Sequence, residues 1–166
     1  MANRWDVFYL KMAQLVSTMS KDPSTHTGAV IVRPDRSVCS VGFNGFPRVM
    51  PDNPEWYASR EEKYSRIVHC EMNAMLFTNE VTAGYTLYTW PFASCDRCCV
   101  SMLQAGITRF VYPELPEDKK SRWEKPLKLT VQYIRESGMD AVEIPMEEIY
   151  PYVETDIEET ENERNR

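Results

Sequence analysis

At 166 residues and 43% hydrophobic composition, the chain can bury a core without staples and is too apolar to be a disordered segment. It has no apolar run of the roughly 18 residues a membrane span needs, and Met1-Ala2-Asn3-Arg4-Trp5-Asp6 shows no secretory signal, so no membrane partner is read. The net charge of −6, from 25 acidic and 19 basic residues, disfavours duplex nucleic acid, which needs clustered Lys and Arg, but admits one small phosphorylated substrate.

A cytoplasmic enzyme is the default, with a single domain over residues 1–150 and a disordered acidic tail over 151–166. Five cysteines are an odd number, unsuited to a full disulfide set. In a reducing compartment Cys95 and Cys98 read as metal ligands, and Cys39, Cys70 and Cys99 as buried or half-buried thiols.

In chain order, residues 5–19 space Phe8, Met12, Leu15, Val16 and Met19 by threes and fours, an amphipathic helix whose apolar stripe should face the core. Lys21-Asp22-Pro23-Ser24 stops it, and His26 stands alone in the turn that follows, where it reads as a solvated or capping side chain. Two β-branched runs, 28–33 and 38–43, flank Pro34-Asp35-Arg36-Ser37 and form a hairpin, after which Asn44-Gly45 makes a turn. Residues 48–60 read as an ordered loop over a pocket, holding Trp56 and Tyr57, and 60–66 as a short helix or turn. There follow a helix over 69–78, a strand over 85–90, a helix over 95–105 stopped by Gly106, and a strand over 107–112. A charged loop over 113–125, a helix over 126–137 stopped by Gly138, and a strand over 141–145 complete an alternating α/β layer with an initial hairpin.

The chemistry is concentrated in His69-Cys70-Glu71 and Cys95-Asp96-Arg97-Cys98. One imidazole and two thiolates suit a tetrahedral zinc with its fourth position open, the catalytic arrangement; four protein ligands would make a structural site. Cys70 and Cys99 are the candidates for a fourth ligand, but each adjoins a proposed ligand, and helical neighbours point about 100° apart. Glu71 lies two residues past His69, in the first turn of its helix, placed to move protons without binding metal. His-x-Glu followed by Pro-Cys-x-x-Cys is the mark of zinc-dependent nucleobase deaminases, whose glutamate carries a proton from water to the ring nitrogen and onward to departing ammonia; the chain matches it except for Cys70 in the x position and Ser94 in place of the proline.

These residues, with Ser20-Lys21-Asp22-Pro23-Ser24-Thr25, residues 28–32, Gly42-Phe43-Asn44-Gly45-Phe46-Pro47, Lys63-Tyr64 and Gln104-Ala105-Gly106-Ile107, make the chain from about 5 to 145 resemble the deoxycytidylate (dCMP) deaminases of the cytidine deaminase superfamily. The resemblance implies a three-layer sandwich, a central mixed five-stranded sheet with helices on both faces. It implies hydrolytic deamination of dCMP to dUMP and ammonia, feeding thymidylate synthesis, with one zinc per chain on His69, Cys95 and Cys98 and Glu71 as proton shuttle. It further implies Asn44 on the sugar, the Cys70 backbone amide on the pyrimidine carbonyl, Ser24 and His26 near the 5′-phosphate, a homo-oligomer (dimer or hexamer), and dCTP and dTTP as activator and inhibitor.

Four departures stand out. Cys70 replaces the usual alanine, Pro91-Phe92-Ala93-Ser94 puts three extra residues between the strand-ending proline and Cys95, and Arg48-Val49 replaces a more typical Arg-Gly. The stretch 48–66 also holds no Cys or His for the second, structural zinc of some relatives. The alternatives are another free cytosine substrate (dCTP, 5-substituted dCMP, deoxycytidine), a nucleic-acid-editing deaminase, and a non-catalytic zinc module.

Overall fold

The structure, a computed structural model, describes residues 3–115 and 117–151, and over 117–126 the backbone alone. Apart from its first residue, the expected acidic tail lies outside the described residues.

Helix α1 (Arg4–Ser17) is followed by β1 (Gly28–Val32), β2 (Val38–Phe43), α2 (Pro54–Ala58), α3 (Arg60–Arg66), α4 (Cys70–Leu76), β3 (Thr86–Trp90), α5 (Asp96–Gln104), β4 (Arg109–Pro113), α6 (Glu117–Ser137), β5 (Asp140–Ile144) and α7 (Met146–Ile149). The strands form one sheet in the order β2-β1-β3-β4-β5. The β2–β1 and β1–β3 pairs are antiparallel; β3–β4 and β4–β5 are parallel. Period-2 alternation divides the side chains between two cores. Ala29, Ile31, Leu87 and Phe110 pack with Cys70 and Ala74 of α4, Cys99 and Met102 of α5 and Ile134 of α6. Val30, Val32, Tyr88, Val111 and Ile144 pack with Tyr9, Leu10 and Ala13 of α1 and Ile149 of α7. The result is the expected mixed five-stranded sheet between two helical layers. No helix among the described residues is long and apolar enough to cross a membrane.

The buried face of α1 differs from the expected one. Phe8, Leu15 and Met19 are exposed, while Asp6, Tyr9, Leu10, Ala13 and Ser17 are buried. Two contacts choose that face over the more apolar one. At Gly28 the helix comes so near β1 that a Cβ there would lie 2.1 Å from the Ala13 carbonyl oxygen and 2.7 Å from the Ser17 nitrogen. About two turns before Ala13, buried Asp6 takes a bidentate pair from Arg109 of β4, Nη1–Oδ1 2.8 Å and Nη2–Oδ2 2.9 Å, and the Tyr88 hydroxyl donates to Oδ1 at 2.9 Å.

Three other boundaries shift. Residues 54–58 are helical: Asn53 caps α2, accepting from Glu55 N–H at 2.9 Å, with Pro54 in the first turn. Helix α6 starts at Glu117, before Pro126, because its Glu- and Lys-rich opening has helix propensity but no apolar period to reveal it. Helix α7, missed in the sequence, buries Ile149.

Helix α4 is set against β2 by another absent side chain. A Cβ on Gly42 would lie 2.3 Å from the Ala74 nitrogen and 2.4 Å from the Cys70 carbonyl oxygen. Ser40 Oγ, two residues back, donates to the Ala74 carbonyl at 2.7 Å. Gly42→Ala must therefore push α4 off the sheet and should cost about 1–3 kcal/mol, whereas Gly45→Ala, where an added Cβ meets nothing within 4 Å, should be close to neutral. Urea denaturation of the two variants checks this.

Candidate metal centre and cavity

Both metal-binding segments enter the site at helix starts. His69 is the N-cap residue of α4 and Cys95 that of α5, each in extended conformation with no side-chain capping bond, which leaves both side chains free to converge. Cys98, one turn into α5, joins them. His69 Nδ1 lies 3.4 Å from Cys95 Sγ and 3.5 Å from Cys98 Sγ, and one donor atom from each of the three residues falls within 4.8 Å of the others. Zinc bonds of about 2.05 Å to nitrogen and about 2.3 Å to sulfur would set tetrahedral N···S edges near 3.6 Å. The donor set fits zinc in both chemistry and spacing. Among the described residues this is the group of His, Cys, Asp and Glu side chains that could hold a metal. Cys70 Sγ points instead to Glu71 Oε2 at 3.3 Å, and Cys99 Sγ to the Thr130 carbonyl at 4.0 Å.

Without metal, the three ligands share protons. A hydrogen bond from Cys98 and the nearby His69 lower the Cys95 thiol to about 5 despite burial. The hydrogen bond to Cys95 raises His69 to about 9 against burial, with Glu71 assisting. Cys98, bonded to the Cys95 thiolate and buried, is pushed upward. The Cys95 thiolate is thus ready for a cation, whereas His69 and Cys98 must release their protons to bind one.

The cavity over this centre is walled by Trp90, Phe92 and Ala93 on one side, by Lys63, Tyr64 and Ile67 of α3 and its C-cap on another, and by Asp22, Thr25, Thr27 and Asn44 from the turns around β1 and β2. Glu71 and Cys70 form its floor, both buried. The unusual stretch before Cys95 is a firmly held wall. Phe92, Ala93 and Ser94 are buried, Thr89 Oγ1 donates to the Phe92 carbonyl at 2.9 Å, and Thr130 Oγ1 donates to the Ser94 carbonyl at 2.8 Å.

At the cavity's side lies a knot that sequence reasoning missed. Lys63 Nζ donates to Asp22 Oδ1 at 2.6 Å and to Ser24 Oγ, and both charged groups are buried. The same Asp22 oxygen accepts from Ser24 N–H (2.9 Å), Ser24 Oγ (2.8 Å) and Thr25 N–H (3.3 Å). Burial works to raise the Asp22 carboxyl, but the hydrogen bonds from Lys63 and Ser24 outweigh it and hold it below the usual range. Asn44 joins the knot: Nδ2 donates to the Thr25 carbonyl at 2.9 Å, and Oδ1 accepts from Thr27 N–H at 2.8 Å. His26 is exposed and lies in a shallow polar depression with Ser24, Thr25 and Pro91, just outside the cavity. The signals for the knot were the Asp-Pro-Ser turn, whose aspartate bonds its own following amides, and the i,i+4 spacing of Lys63 and Ile67 within a charged stretch.

An imidazole, two thiols and a carboxylate gathered at one cavity between two helix starts define a metal-dependent hydrolytic site. Residues 3–114 match the family model described as the cytidine and deoxycytidylate deaminase zinc-binding region. The chain belongs to that family. It is 35% identical over 147 residues to a protein of Aliivibrio fischeri named "Uncharacterized deaminase in luxG 3′region", covering 89% of this chain and 98% of that one. It is 34% identical over 119 residues to the probable deoxycytidylate deaminase of Drosophila melanogaster and 31% identical over 114 residues to the deoxycytidylate deaminase of Mus musculus. The chain spans 58% and 64% of those two proteins' lengths. The fold matches the dCMP deaminase of the cyanophage S-TIM5 with a TM-score of 0.65 at 20% identity, covering 87% of this chain and all of that one.

The pH dependence of the metal-free chain follows from the pair. Cys95 is depressed, so its contribution to stability is present above the unfolded thiol value and is lost as pH falls through about 5. His69 is raised, so its contribution is present below the unfolded imidazole value and is lost as pH rises through about 9. Chelator-treated protein should therefore show its highest Tm between these limits, and Cys95→Ser should flatten both flanks of the Tm–pH profile.

Proposed function

We propose that the chain catalyses hydrolytic deamination of dCMP to dUMP and ammonia, with zinc held by His69 Nδ1, Cys95 Sγ and Cys98 Sγ. The observation that carries this reading is the convergence of three donor atoms within 4.8 Å in a cavity whose floor is a buried glutamate. Bound there, zinc supplies a Lewis acid that makes water nucleophilic near neutral pH. Glu71 accepts the proton of the attacking water, delivers it to N3 of the ring, and passes a proton to the 4-amino group. The water oxygen bonds to C4, the C4–N4 bond breaks, ammonia leaves, and no group changes oxidation state. The backbone N–H of Cys70, the first residue of α4, is one of the amides a helix leaves without an intrahelical partner. It serves the pyrimidine carbonyl. Asn44 Oδ1 accepts Thr27 N–H and keeps a second lone pair for a sugar hydroxyl.

The names of the relatives and the cyanophage enzyme, solved in complex with dCMP and dUMP, favour a deoxynucleoside monophosphate over other cytosine substrates. The 5′-phosphate lies at the Ser24–His26 turn. Because the amide and hydroxyl of Ser24 and the amide of Thr25 all go to Asp22, the Thr25 hydroxyl and the exposed His26 supply the donors. A cytoplasmic setting accords with five cysteines that are all unpaired.

Glu71→Gln should keep about one zinc per chain by elemental analysis and lower kcat by at least roughly 10²-fold. Turnover should fall from dCMP to deoxycytidine, with dCTP and CMP poorer than dCMP; equal rates on dCMP and deoxycytidine would refute phosphate recognition, and preference for an RNA hairpin would refute the free-nucleotide reading. Adding dCTP or dTTP to the same assay tests the effector response.

Homo-oligomerisation is part of the proposal, and an apolar groove between β2 and α4 supports it. Val41, Phe43, Leu76 and Phe77 line the groove and are each at least 37% exposed, and Val49 at its rim is 93% exposed. A surface of this kind is unusual on a monomer. Light scattering should give a mass of two or six chains, and Leu76→Glu should lower it.

A further inference from the structure

The reading of Glu71 as proton shuttle leaves open what holds its carboxylate. Glu71 is 5% exposed, and a glutamate side chain has three rotatable bonds. Apart from His69 of the metal centre, the basic side chain of the cavity is Lys63, which is engaged by Asp22. The hydrogen bond recorded for the Glu71 carboxylate comes from its sequence neighbour, Cys70 Sγ to Oε2 at 3.3 Å. No buried side-chain oxygen or nitrogen among the described residues lacks a partner, so the other oxygen, Oε1, keeps access to the cavity that Glu71 lines. The two carboxylate oxygens are thus unequal: one tied to a thiol, one open.

The thiol is itself fixed. Cys70 is 2% exposed and packs in the core with Ala29 and Ala74. Its backbone is pressed against Gly42.

Resting on the proposed deaminase reading, we propose that Cys70 is a positioning residue: its thiol donates to Glu71 Oε2 and so fixes which carboxylate oxygen faces the reacting atoms. Cys70 has a backbone duty in the same site, and alanine preserves that duty while removing the thiol. Cys70→Ala frees Oε2 to rotate; Cys70→Ser keeps a donor on a similar stem.

The test uses zinc-loaded full-length protein, with zinc content checked for each variant. Cys70→Ala should lower kcat for dCMP roughly 5- to 10-fold while KM stays within about two-fold, and Cys70→Ser should recover most of the loss. A Raman measurement gives a second readout that needs no turnover. The S–H band lost in Cys70→Ser should move to higher frequency in Glu71→Gln, because a neutral amide is a weaker acceptor than a carboxylate. Unchanged kcat in Cys70→Ala, serine no better than alanine, or an S–H band indifferent to Glu71→Gln would each overturn the positioning role. A parent protein that shows the band shift but never deaminates dCMP would overturn the functional reading and leave the hydrogen bond standing.

Discussion

The site depends on one close approach. Helix α4 can supply His69 at its cap and Glu71 in its first turn only because β2 carries no side chain at Gly42, where any Cβ would overlap the helix backbone. Ser40 then ties the same helix to the sheet through the Ala74 carbonyl. Backbone packed on backbone has no rotamer to relax, so the imidazole, the thiol of Cys70 and the glutamate are set by the sheet with little slack. On the opposite face Gly28 does the same for α1. The two glycines lie on neighbouring strands of one hairpin, with Gly28 opposite Phe43 and Gly42 opposite Ala29 in the register.

Among the described residues, two buried carboxylates, Asp6 and Asp22, are neutralised on the spot. The Asp6–Arg109 fork, reinforced by Tyr88, joins α1 to β3 and β4. The Asp22–Lys63 pair joins the turn before β1 to α3 and carries Ser24, Thr25 and Asn44 with it. Such pairs seldom add much net stability, because desolvation offsets most of the attraction, but losing one partner strands the other. Their effect here is geometric. Each makes one placement of its elements the placement in which neither partner of the pair is stranded.

The same distinction explains what the sequence disclosed. The gathering of His69, Cys95, Cys98 and Glu71 at one cavity was legible because the chemistry imposes residue types at fixed separations, and most strands because β-branched runs alternate. The buried face of α1 was hidden, since the longest apolar stripe, Phe8 to Met19, lost to a face selected by the small residues Ala13 and Ser17 and by a carboxylate with a distant arginine partner. Local pattern cannot register a contact 103 positions away. Lys63 was similarly masked: in a stretch of mixed charge a lysine reads as solvated, and its burial rests on an aspartate 41 residues earlier. The loop before Cys95, conspicuous by its extra length, proved well tethered, since Thr89 and Thr130 satisfy its carbonyls.

Charge balance also gives the proposed reaction a direction. Two thiolates neutralise a divalent zinc, and Lys63 is matched by Asp22, so Glu71 is the uncompensated charge on the cavity floor. A phosphate dianion is repelled from that floor, whereas a neutral pyrimidine is not. The turn holding half-buried Thr25 and exposed His26 joins the cavity to a polar depression outside it, where water screens charge and donors remain accessible. A nucleotide entering base first therefore meets a rising electrostatic cost only if its phosphate follows too far.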